Sequence, residues 1–165
     1  MHLQIDSIMT TPVVVGRGYF DNGVPKTPPN PTYIAEAARA AEIEAAQTEL
    51  GLKFPPEYRE FLSNYGAMVG QGFEIFGLDR NRNNFFMDVV QQTIFHRDAL
   101  GSKANLNQIV IADDDMGVSF LMDTTNEERP RFVAFGAGYD DYPEVAADFN
   151  DFCIQLSIDK MFSRL

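Results

Sequence analysis

Eight carboxylates in the last third of the chain carry most of the chemistry that its residue types could do: Asp113, Asp114, Asp115, Asp140, Asp141, Glu144, Asp148 and Asp151. Three consecutive aspartates can in principle hold a hard cation, but calcium loops place their ligands at alternating positions and close on a glutamate. "ADDDMG" does not follow that plan. Its plainer reading is an acidic hairpin turn completed by Gly117, because aspartate and glycine suit turn geometry. A surface for a basic partner is the second reading, and a metal site the third.

Paired carboxylates also perform acid–base chemistry in glycosidases, so a carboxylate enzyme is the third of three function classes to weigh. Little else supports catalysis. His2 is terminal, and His96 stands alone in a predicted helix, where it reads as a surface residue. Cys153, the single cysteine, falls among apolar residues and reads as a buried core thiol. There is no Gly-x-Ser-x-Gly elbow. Gly16 and Gly18 run into Tyr19-Phe20 rather than a helix, so they make no phosphate loop. No catalytic, cofactor or metal residue is therefore assigned.

The formal charge is −11, and residues 113–151 hold 11 acidic against 2 basic side chains. That balance argues against nucleic-acid binding and against docking on anionic lipid. It fits a partner protein with a basic surface, which a localised negative field would attract quickly. No apolar run approaches the roughly 18 to 20 residues that cross a bilayer, and "MHLQIDSIMTTPVVVGRG" lacks the pattern of a signal peptide. A soluble, cytoplasmic protein is the expectation.

At 165 residues and 45% hydrophobic, the chain suits one compact domain. Residues 1–30 read as an N-terminal strand, "PVVVGRGYF", and a loop rich in proline and glycine, with the main domain at 31–165. Asn30-Pro31 is a helix-start pair, so the alanine-rich run from there to Leu50, ended by Gly51, reads as the first helix, with Ile34, Ile43 and Leu50 as its apolar anchors. Pro55-Pro56 opens a second helix and Gly66 closes it, with Tyr58, Phe61, Leu62 and Tyr65 on one face. "GFEIFGL" predicts a strand, and "MDVVQQTIFHRDALG" a helix capped by Asp88 and ended by Gly101.

"LNQIVIADDDMGVSFLMDT" predicts a hairpin and "RFVAFG" a further strand. "YPEVAADFNDFCIQLSIDKMF" predicts a last helix with Val145, Phe149, Phe152 and Leu156 packed and a polar stripe of Glu144, Asp148, Asp151, Gln155 and Asp159 beside them. Glu144 would then sit favourably near the helix N-terminus. The fold class is α+β: one domain, a largely antiparallel mixed sheet with helices packed on it. Phe73, Phe76, Phe85 and Phe86 crowd one strand and loop, where core packing and a homodimer contact explain them equally.

"ELGLKFPPEYREFLSNYGA", the strand ending "FGL", "QIVIADDDMGVSFLMDT" and "VAADFNDFCIQL" together resemble the SUKH superfamily of bacterial polymorphic-toxin immunity proteins, over roughly residues 31–160. The resemblance implies an α+β fold without catalytic activity and without a cofactor. It also implies a cognate toxin, often a nuclease, as partner, so that an acidic surface would occupy a basic cleft. Some eukaryotic relatives are instead regulatory scaffolds linked to the cell wall, the alternative reading. Gln47 stands where the family usually has a helical glutamate, and "NYGA" replaces its Asn-Gly-Gly. The eight carboxylates are the candidate partner-binding residues.

Overall fold

A computed structural model describes residues 20–21, 24–25, 33–70, 73–79, 87–114 and 117–157. Residues 12–19 of the strand expected at 12–20, the Asn30-Pro31 pair, Phe85, Phe86, Asp115 and Asp159 lie outside the described residues. Two short strands, β1 (Phe20–Asp21) and β2 (Val24–Pro25), pair with each other. Among the described residues the main sheet has seven strands in chain order: β3 (Tyr33–Ile34), β4 (Met68–Gly70), β5 (Phe73–Ile75), β6 (Gln108–Asp113), β7 (Val118–Asp123), β8 (Arg131–Gly136) and β9 (Glu144–Ala146). Each neighbouring pair is antiparallel. With α1 (Ala40–Leu50), α2 (Pro56–Tyr65), α3 (Val89–Leu100) and α4 (Phe149–Ser157) packed on it, the fold is α+β.

The first helix starts later than the sequence predicts. Tyr33 and Ile34 pair with Val69 and Met68 on β4, and the Ala35 and Ala38 amides donate to the carbonyls of Ala67 and Leu62. Those pairings hold the alanine-rich lead extended until the Glu42 carboxylate can reach back to accept the Arg39 amide at 2.7 Å, one half of a capping box. Ile34 is consequently exposed on an edge strand, whereas Ile43 and Leu50 are buried as helix anchors.

Both ends of α2 fall where the prolines and Gly66 predict. Its face is an aromatic hub: Tyr58 lies edge-on to Phe54 and Phe149 and stacks on Phe61, and its hydroxyl donates to the Phe76 carbonyl at 2.6 Å. Phe61 also meets Phe149, which packs with Phe152 and with Phe132 of β8. Because residues directly opposite in a ladder share a face, Phe120, Phe132, Met122 and Ala134 all point toward α4.

The opposite face carries α3. Asp88 caps it by accepting from the amides of Val90 and Gln91. A bulge between Val110 and Ala112 disturbs β6, and there the Val110 amide donates to the buried Thr93 hydroxyl at 3.1 Å. Arg97 donates to the carbonyls of Leu50 and Leu106, joining the α1 terminus to the segment before β6. A cation suits that helix end.

Gln47 is buried, and its side-chain carbonyl accepts the Phe54 amide at 2.8 Å. This bond holds the turn that leads into α2. Gln47→Ala is expected to lower stability by about 1–3 kcal/mol, because it strands a buried amide. Gln47→Glu keeps an acceptor and is expected to retain more of that stability at neutral pH. Urea midpoints of the two variants compare them directly.

Candidate protein-binding surface

The structure sorts the candidate carboxylates by the end of the sheet at which they sit. Register pairs Val118 with Gly136 and Asp113 with Ser119, which in turn faces Phe135. The β6–β7 hairpin turn and the segment that follows β8 therefore share one end of the sheet, and Asp113, Asp114, Asp140 and Asp141 belong to it. The chain then returns along β9, where Ala146 pairs with Phe132. Asp148 and Asp151 follow toward the other end, near which the turn between Asp123 and Arg131 exposes Glu127 and Glu128.

Asp140 and Asp141 occupy the centre of a turn closed by the Tyr142 amide donating to the Tyr139 carbonyl at 3.2 Å. Both aspartates are exposed, Tyr139 is buried, and Tyr142 is half-buried. Tyr142 stacks on Phe135 with ring centroids 5.0 Å apart, and the far side of the loop is tied down by the Ala134 amide donating to Pro143. Two exposed carboxylates thus ride between two anchored tyrosines.

Asp114 does a different job. It is 7% exposed, and its Oδ1 accepts the Val118 amide at 2.7 Å while its own amide donates to the Val118 carbonyl. The carboxylate braces the hairpin. Asp113 is half-buried at the end of β6, directly opposite Glu74 of β5.

The expected helical stripe does not form across its whole length. Glu144 lies on β9, exposed, with its carboxylate 3.2 Å from Arg131 Nε. It is not near a helix N-terminus. Edge pairing with β8 holds residues 144–146 extended, and Asp148 then starts the helix by accepting the Asp151 amide at 2.7 Å. Asp151 in turn accepts the Ala147 amide and the Gln155 side chain. Val145 is buried as expected, but from a strand.

His96 is half-buried rather than on the surface. Its ring stands edge-on to Phe135 at 5.1 Å and 88°, and burial lowers its pKa from the ordinary value. Cys153 is buried, and burial pushes its thiol far above the range in which it would ionise, so it offers no nucleophile. Among the described residues, no three histidine, cysteine or acidic side chains come together as a metal site. None of the described helices is long and apolar enough to cross a membrane.

The sequence reading missed the Phe135–Tyr142 stack and the exposed pair Glu127 and Glu128. Only the charge count over residues 113–151 pointed toward the latter. The family model described as SMI1 / KNR4 family (SUKH-1) matches residues 37–155. No curated protein matches the chain.

Proposed function

Because the chain belongs to the SMI1/KNR4 family (SUKH-1), a family of immunity and interaction modules, we propose that it is a non-catalytic immunity protein that binds and neutralises a cognate bacterial toxin. The contact surface is the hairpin end of the sheet, with Asp140 and Asp141 at its centre and Asp113 beside them. The observation that carries this reading is the exposed, doubly anchored Asp140-Asp141 turn inside the segment that holds most of the net negative charge. Nuclease toxins must attract phosphate and so present basic clefts, which suits them as the partner class.

Rigid presentation matters as much as charge. Carboxylates fixed by Tyr139 and Tyr142 lose little conformational freedom on binding, so more of the electrostatic attraction survives in the complex. Asp114 and the Asp148–Asp151 cap act through stability, and only indirectly on the contact.

The test is co-purification with the product of the neighbouring gene, followed by titration at low and high salt. The expected result is a tight complex whose association rate falls steeply as salt rises. A complex with a salt-independent rate would count against the acidic surface. No complex at all would favour the regulatory-scaffold reading, with the acidic segment serving solubility.

A further inference from the structure

We propose that His96 is the proton-sensing element of a relay through Phe135 and Tyr142, which releases the Tyr139–Tyr142 turn, with Asp140 and Asp141, when the imidazole is protonated. The relay is a continuous set of ring contacts. His96 on α3 meets Phe135 on β8 edge-on, and Phe135 stacks on Tyr142 with planes 23° apart. The Nε2 atom of His96 is buried with no hydrogen-bond partner among the described residues.

A neutral imidazole tolerates that position, because the tautomer with its proton on Nδ1 leaves only a lone pair facing the apolar side. An imidazolium does not, since both nitrogens then carry N–H groups and the one at Nε2 has no acceptor among the described residues. A buried unpaired donor costs more than a cation beside a phenyl ring returns. The protonated ring is therefore favoured only where it can swing toward water, away from Phe135.

Tyr142 makes the far end of the relay bistable. Its φ is +50°, a left-handed conformation that disfavours any residue with a Cβ. Packing of its ring holds it there. Once Phe135 loses its backing, that packing weakens, and the backbone can relax into the ordinary region. The Tyr142 N–H to Tyr139 carbonyl bond then opens, and the two aspartates lose their fixed placement.

The ionisable surroundings of His96 come from several elements. Its own helix supplies Arg97, whose guanidinium is turned to the Leu50 and Leu106 carbonyls, and the exposed Asp98. The end of α1, which Arg97 ties to α3, carries the exposed Glu49, and the turn after α3 carries the exposed Lys103. Asp113 of β6 and Glu74 of β5 lie on the same sheet row as Phe135, and the sensed turn supplies Asp140, Asp141 and Tyr142. Burial is what lowers the imidazole pKa. The folded state thus prefers the neutral ring, while an opened state takes up the proton at the ordinary value of 6.5. The closed turn is stable above that value and is lost as pH falls through the lowered one.

The device is read on the protein alone, so it stands or falls separately from the immunity reading. NMR titration of the whole chain from pH 8 downward should show His96 titrating below 6.5, with the Phe135 ring and the amides of residues 139–142 shifting at the same midpoint. In His96→Gln those shifts should vanish while the spectrum at pH 8 is kept. If His96 titrates at or above its ordinary value, or the turn amides follow only the aspartates, the relay is overturned. Persistence of the shared midpoint in His96→Gln overturns it too, and the wild-type titration alone decides the first two points even if that variant fails to fold.

Discussion

Replacing Gly66 with alanine is expected to lower stability by about 4 kcal/mol or more, an unusually large effect for one methyl group. Gly66 has φ +68° and ψ −70°, and the Ala67 amide donates to the Tyr65 carbonyl across it at 2.8 Å. This is a γ-turn of the rare, strained hand. A Cβ there would lie 2.1 Å from the Glu36 carbonyl oxygen and 2.9 Å from that of Leu78. Both obstacles are backbone, so neither can rotate aside. Gly77 makes the reciprocal approach: its Cβ would come within 1.7 Å of the Gly66 oxygen.

The crossing of these two glycines is what lets the end of α2, the lead into α1 and the chain entering α3 meet. Leu78 donates to the Gly66 carbonyl, Gly77 donates to Met87, and Val89 donates to Gly77. Gly51→Ala is the control. It also has a positive φ, 71°, but open space around the Cβ position, so it is expected to cost only about 1–2 kcal/mol. Urea denaturation of both variants measures the difference. Equal costs would mean that backbone strain alone matters and that the close approach does not.

These two cases mark what the sequence could and could not disclose. The Pro55-Pro56 start and the aromatic spacing of α2 were legible because they are local. So were the Asp88 cap, the Gly101 stop and the hairpin around Gly117, and the structure has each in place. Gly66 was legible as a helix end, but its contact with Glu36 and Leu78 depends on chain that arrives from both directions. The starts of α1 and α4 were misread for one shared reason. Tyr33-Ile34 and Glu144–Ala146 are the two edge strands of the seven-stranded sheet, and pairing with a distant or preceding strand outweighed the helical preference of the alanines around them.

The same override reshaped the candidate site. A helical stripe of carboxylates is a statement about period, and it fails once residues 144–146 become strand. Charge density over residues 113–151 survives that failure, because it does not depend on which element carries each residue. Conversely, the Tyr142 conformation and its stack on Phe135 left no local signal: tyrosine is no marker of a left-handed backbone, and only the finished loop selects it.

The division of carboxylates between the two ends of the sheet leads to an expected separation of function from stability. Asp140→Asn with Asp141→Asn is expected to slow association with the proposed toxin partner at low salt by about tenfold or more and to flatten the salt dependence. The urea midpoint should hardly move, because both side chains are exposed. Asp148→Ala is expected to do the reverse. It removes the acceptor for the Asp151 amide, costing about 1 kcal/mol of stability as caps do, while the association rate of the folded protein stays near wild type. Stopped-flow rates at two salt concentrations, set beside urea curves, distinguish the patterns. If both variants slow association equally, the negative field of the whole domain steers the partner and no end of the sheet is favoured. If only the Asp140-Asp141 variant does, the turn between Tyr139 and Tyr142 is where the basic surface lands.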